Sequence, residues 1–138
     1  MRAVTIQTNL QIAGALLIGL GLAHGGFNRY FGWKAETAQL SLFTRQVFHV
    51  HCFFIALVLV LMGALSIFYS SELLRTDRLS HAVCGALAVF WIIRLAAQWF
   101  VYEGRIWRGS RFLTFMHGMF SLLWMYLSGT YSLAWLAN

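Results

Sequence analysis

The sequence predicts an all-α fold, an integral membrane four-helix up-down bundle. Three observations carry that prediction. Of 138 residues, 60% are hydrophobic and only 10% are charged, against about 25% charged in a typical soluble domain. The apolar residues gather into four runs, each near the ~20 residues that cross a bilayer as a helix. The runs are joined by short, charged connections, which favour antiparallel neighbours. The 138 residues make one transmembrane domain. Strands are excluded, because the runs are long and do not alternate, and a membrane barrel needs about eight strands or more.

The first helix is expected over about 8–27, with 10–23 as its apolar centre. Met1-Arg2 ahead of an apolar stretch looks like a signal peptide, but no A-x-A-like cleavage site follows, so the segment reads as a retained helix. The second helix, about 46–70, carries no formal charge. The third, about 79–102, is interrupted by Arg94. The fourth, about 112–136, is again uncharged.

The connections carry the charge. The stretch 28–45 is the longest, and its Phe31-Gly32-Trp33 reads as interfacial. The second, 71–78, holds Glu72, Arg75, Asp77 and Arg78; the third, 103–111, holds Glu103, Arg105, Arg108 and Arg111. Six basic residues (Arg29, Lys34, Arg45, Arg105, Arg108, Arg111) lie on one side and three (Arg2, Arg75, Arg78) on the other. Positive charge marks the cytoplasmic side, so loops 28–45 and 103–111 are expected in the cytoplasm and both termini outside, in a bacterial inner membrane. Tyr30, Trp33, Tyr69, Trp99, Tyr102, Trp107, Tyr131 and Trp135 near the helix ends fit interfacial belts.

The formal net charge of +6 does not point to nucleic acid, because the basic residues sit in short links between apolar runs rather than in a stripe. The expected partner is the lipid bilayer. Cys52 and Cys84 both fall inside apolar runs and form no C-x-x-C, so neither a disulfide framework nor a zinc finger is indicated. No phosphate loop, nucleophile triad or carboxylate pair appears, and no catalytic residue is assigned.

An internal echo is present. Arg45-x5-His51-x2-Phe54-x2-Leu57 matches Arg111-x5-His117-x2-Phe120-x2-Leu123, a pattern that duplication of a helix pair would leave.

Ionisable side chains in a membrane span are costly, so each is a candidate functional residue. By depth, His24 near the end of helix one, His49 and His51 at the start of helix two, Arg94 and Gln98 near the end of helix three and His117 in helix four share one leaflet. His81 stands alone at the other side. By direction, helix four aligns His117, Ser121, Trp124 and Ser128 on one face. Helix three aligns Ser80, Cys84, Leu87, Trp91, Arg94 and Gln98. Helix one aligns Gly14, Leu17, Gly21 and His24. Small and polar residues face inward in membrane bundles. His49 and His51 point ~200° apart on a helix and cannot chelate one ion together. His49 shares its face with Cys52, Ala56 and Gly63 and is the expected inward residue; the internal echo favours His51 instead.

Three functional readings follow. The first is one b-type haem, with axial imidazoles from His49 (or His51) and His117 on diagonal helices. Arg45 and Arg111, with Arg105 or Arg108, would pair with the propionates, and His24 or Arg94 would lie behind the ligands. Such a protein passes electrons to or from a quinone or a redox partner protein. The architecture is similar to the four-helix cores of membrane b-type cytochromes, a similarity that rests on no long motif; the outer side offers only His81, so at most one bis-histidine haem is expected. The second reading is a metal centre of His24, His49, Cys52 and His117, a nitrogen and sulfur set that suits copper or zinc. The third is a ligand-binding or transport subunit, with Arg94 and the histidines around an anionic headgroup, a quinone or another small molecule. Beside these stands the plain alternative: imidazoles as interhelical hydrogen-bond formers, Arg94 snorkelling to the interface and cysteines as small packing residues. The glycine face of helix one is also a candidate contact for a homo-oligomer or a larger complex.

Overall fold

The computed structural model describes residues 2–30, 32–105 and 109–138, leaving aside the side chains of 2, 3, 27–30, 34 and 36. The roles expected of Phe31, Trp107 and Arg108, and of the side chains of Arg2, Arg29, Tyr30 and Lys34, lie outside the described residues.

The fold is all helical. Four long helices, α1 (Arg2–Tyr30), α3 (Leu42–Phe68), α4 (Arg78–Phe100) and α5 (Arg111–Ala137), are separated by a one-turn helix α2 (Trp33–Glu36) and two 3-10 turns, Thr37–Gln39 and Glu72–Leu74. Among the described residues three helices are long and apolar enough to cross a membrane: α1 over Val4–Gly26, α3, and α4. Helix α5 equals α3 in length at 27 residues. Its Thr114, Ser121, Ser128, Thr130, Tyr131 and Ser132 interrupt its apolar run, and it is not among those three.

Local chemistry sets the helix starts. A helix leaves its first backbone N–H groups without intrahelical acceptors, and Ser or Asp at the N-cap supplies one. Ser41 Oγ accepts from Thr44 N ahead of α3, and Ser110 Oγ accepts from Leu113 N ahead of α5. Asp77 accepts from both Leu79 N and Ser80 N, each at 3.0 Å, ahead of α4. Between α1 and α2 the chain turns through Gly32 at φ 66°, a left-handed conformation that glycine adopts without strain.

The chain divides into two compact units, one formed by Met1–Leu10 with Ser70–Asn138 and the other by Gln11–Tyr69. In the second unit α1 and α3 run antiparallel with their backbones in contact. A Cβ on Gly14 would lie 2.6 Å from Gly63 O, one on Gly63 would lie 2.6 Å from Gly14 O, and one on Gly21 would lie 2.9 Å from Ala56 O. The glycine face of helix one is therefore filled by α3. Without a hydrophobic drive between helices in lipid, such close approach is what small residues provide.

In the first unit α4 and α5 are antiparallel. Cys84, Leu87, Ala88 and Trp91 of α4 and Trp124, Leu127, Tyr131 and Ala134 of α5 are buried, at the three- and four-residue spacing of one helix face. The turn before α4 is tied to that core: Ser80 Oγ donates to Glu72 O, and Cys84 Sγ and Asn138 Nδ2 both donate to Leu73 O. Tyr126 Oη donates to Asn9 Oδ1 at 3.0 Å, joining α5 to the start of α1. The opposite helix faces carry exposed Val89, Ile92 and Ile93 on α4 and Leu122 and Leu133 on α5. Apolar side chains in such number suit a hydrocarbon surrounding rather than water.

Candidate functional site

The polar side chains of the α4–α5 pair meet around Gln98. Its position follows from helix geometry: Arg94 and Gln98 are one turn apart on α4, and His117, Ser121 and Trp124 follow one face of α5. Gln98 Oε1 accepts from Arg94 Nη1 and from Trp124 Nε1, both at 3.2 Å. Gln98 Nε2 meets His117 Nδ1 at 2.9 Å. Gln98 is buried, and the network closes all the ends of its amide except one N–H.

These partners fix the proton on His117. Arginine and the indole N–H can only donate, so the Gln98 atom that faces them is the oxygen. The amide nitrogen then faces His117 and donates, and Nδ1 accepts. In the neutral ring an accepting Nδ1 leaves the proton on Nε2. His117 is thus presented as an N–H donor.

Aromatic rings hold the guanidinium. The Arg94 Cζ lies 4.6 Å from the Trp124 ring centroid and 5.9 Å from that of Tyr102. Cation–π contact of this kind stabilises a guanidinium by about 0.5–2 kcal/mol, more where water is scarce. Trp124 is itself nearly parallel to Trp91 and to Phe120, with ring centroids at 5.4 and 5.6 Å. Ser121 Oγ accepts from Trp99 Nε1 and donates to His117 O. In the sequence Gln98 is legible by its depth and its four-residue step from Arg94, and Trp124 by its place in the His117 stripe; nothing in the sequence signals that the two bond.

The second unit holds His24, Arg45, His49, His51 and Cys52. His49 and Cys52 are half-buried, on the α3 face that carries Ala56, Val60 and Gly63 towards α1, and His51 is exposed. His24 is half-buried on α1. His24 Nδ1 donates to Leu20 O and His51 Nδ1 donates to Val47 O, each at 2.9 Å. Both rings therefore keep their lone pair on Nε2. Arg45 is half-buried in the first turn of α3, and Arg111 is exposed at the first residue of α5. Of the expected metal set, His24, His49 and Cys52 belong to this unit and His117 to the other. Within either unit, among the described residues, no three of His, Cys, Asp and Glu gather into a group able to hold a metal ion.

His81, the lone histidine at the far end of α4, accepts at Nε2 from Trp135 Nε1 at 2.8 Å. Its partner is an indole, and the pair joins the start of α4 to the end of α5.

No protein-family model, curated protein or solved structure matches the chain.

Proposed function

We propose that this chain is an integral membrane protein of a bacterial inner membrane that binds a small amphiphilic ligand, with Arg94, Gln98 and His117 at the polar end of the site. In this reading α5 joins the three apolar helices to complete an up-down bundle. Loops 28–45 and 103–111 face the cytoplasm.

The observation that carries the reading is the charge of Arg94, which forms no ion pair among the described residues. It lies six residues inside the end of α4, about 9 Å at a helical rise. The four acidic residues, Glu36, Glu72, Asp77 and Glu103, all lie outside the long helices. Glu103, the nearest in sequence, pairs with Arg105 at 2.7 Å. A guanidinium kept within a span, over aromatic rings and bonded to an amide, meets no acidic side chain among the described residues. The arrangement suits an incoming ligand with hydrogen-bond acceptors.

The test is native mass spectrometry of the detergent-purified protein incubated with single-chain amphiphiles and quinones. At least one should be retained saturably, and Arg94→Gln should lower retention about tenfold, the scale of a lost charge-assisted bond. Retention of none, or retention indifferent to Arg94, sinks the proposal.

A second reading is redox: one haem b held between His117 and His49, or His51, with copper or zinc on His24, His49, Cys52 and His117 as its metal variant. The Nδ1–carbonyl bonds of His24 and His51 favour it, because they leave Nε2 as the ligating atom. His117 argues the other way. Ligation through its Nε2 requires the proton to move to Nδ1, which breaks the bond from Gln98. The ligand reading is preferred on that ground. A Soret band lost in His117→Ala would reverse the preference, and elemental analysis would detect copper or zinc.

A further inference from the structure

We infer that the amphiphile is a long-chain carboxylate, with its head on Arg94 and its chain along an open groove on the adjacent flank of α4. The inference rests on the reading of Arg94, Gln98 and His117 as a ligand site.

The donor and acceptor inventory selects the head group. Gln98 Oε1 is already shared by two donors, and Gln98 Nε2 is directed at His117. Gln98 takes one N–H of the Arg94 fork. Stacking against Trp124 at 4.6 Å fixes the guanidinium, and its in-plane N–H edge matches a carboxylate with two parallel bonds. An alcohol or an amine brings a donor to a donor edge. A neutral quinone accepts a hydrogen bond but leaves the charge of Arg94 uncompensated.

Depth separates a carboxylic acid from permanently charged anions. Arg94 lies about 9 Å inside its helix, below the level of phospholipid headgroups. A carboxylic acid enters as the neutral molecule, loses its proton to interfacial water and leaves the carboxylate against the guanidinium. A phosphodiester or a sulfonate has no neutral form near pH 7 in which to cross that depth, and burying an isolated charge is costly.

The groove supplies the chain site. It lies on the flank of α4 about 100° round the helix from Arg94, running from Ile93 through Ala86, Gly85 and Ala82 to His81, with Trp135 as one wall and a volume of about 620 Å³. From Ile93 to His81 is about 18 Å of helix, longer than the ~15 Å of hydrocarbon in one leaflet, so the chain would run past the bilayer midplane towards the start of α4. Two features keep it open. A Cβ on Gly85 would lie 3.0 Å from Trp135 Nε1, so glycine lets the indole lie across α4. Trp135 is held there by its bond to His81 at 2.8 Å.

The experiment compares a saturated long-chain carboxylic acid, the alcohol of equal chain length and a ubiquinone analogue, by native mass spectrometry of the full chain. Palmitic acid is expected to bind, and hexadecanol about tenfold more weakly or not at all. Arg94→Gln and Ala86→Trp are each expected to lower palmitate retention about tenfold, the first through the head and the second by filling the groove. Arg94→Lys, which keeps the charge and loses the fork, should fall between. Helical circular dichroism and unfolding temperature confirm that each variant is folded. Hexadecanol binding as well as palmitate, or Ala86→Trp without effect, overturns the inference. If the quinone binds in an Arg94-dependent manner and palmitate does not, this inference falls and the ligand site stands. If nothing binds, both fall.

Discussion

Gln98 Nε2 donates to His117 Nδ1 across 2.9 Å, and the same amide accepts from Arg94 and Trp124 through its oxygen. One neutral side chain therefore sets both the proton position on an imidazole and the pose of a cation. Gln98→Leu strands Arg94 Nη1 and the buried Trp124 Nε1 and removes the donor to His117. Leaving such groups without partners costs about 1–3 kcal/mol, so the variant should unfold at a clearly lower temperature in detergent. Gln98→Glu is the sharper change. Its carboxylate still accepts from Arg94 and Trp124 but cannot donate, so the His117 proton should move from Nε2 to Nδ1. Nitrogen-15 spectra of labelled imidazoles read this directly; an Nδ1–H tautomer already present in the unmodified protein would refute the hydrogen-bond assignment.

The α1–α3 crossing predicts a split among glycines. Gly14 and Gly63 face each other's carbonyls, and a Cβ on either would sit 2.6 Å from backbone oxygen. Backbone cannot rotate away as a side chain can, so Gly14→Ala and Gly63→Ala should each cost about 1–3 kcal/mol, the range for forced overpacking. A Cβ on Gly19 or Gly129 meets nothing within 4 Å. Alanine there should stabilise slightly, through its better helix propensity of about 1 kcal/mol. Thermal unfolding of the four variants separates the two classes; equal behaviour would mean that α1 and α3 do not cross at the glycines.

Much of this was legible in the chain because helix faces are periodic. The stripe Ser80, Cys84, Leu87, Trp91, Gln98 is buried, and so are Ser121, Trp124 and Ser128. What a stripe cannot give is which side chains bond within it. His117, Ser121 and Trp124 share a face with nothing to show that Gln98, on another helix, reaches two of them. Helix α1 is longer than the 8–27 its hydropathy predicts, because Thr5, Gln7 and Thr8 at its start are polar while the backbone continues as helix from Arg2. The short helix Trp33–Glu36 had no periodic signal, being a single turn. The tautomer of His117 is a matter of partners in space, and no sequence spacing encodes it.

Asp77 predicts an acid dependence. Its carboxylate accepts from the backbone N–H of Ser80 first of all, and also from the Ser80 hydroxyl and Leu79 N, with Arg75 nearby. These hold its pKa below the ordinary carboxylate value. A group depressed in the folded state adds stability above its unfolded pKa, ~3.9, and loses it as pH falls through the lower folded value. The unfolding temperature should therefore be higher for the native chain than for Asp77→Ala at neutral pH, and the gap should narrow as pH falls below about 4. A gap that does not change with pH would mean that the cap works without its charge.

The distribution of basic residues predicts orientation. Six of them flank the α1–α3 and α4–α5 connections and three flank the other side, and basic residues resist translocation. Ala38 and Thr76 are exposed on the α1–α3 and α3–α4 connections. Each is a site for a single cysteine in a chain whose Cys52 and Cys84 are replaced by serine and alanine. A membrane-impermeant maleimide added to intact cells should label Thr76→Cys, and should reach Ala38→Cys only after permeabilisation. The pattern bears on the ligand as well. Arg94 lies near the α4–α5 connection, so in this orientation its site opens towards the cytoplasmic leaflet. The reverse labelling pattern would place it in the outer leaflet, and a carboxylic acid would then have to enter from outside.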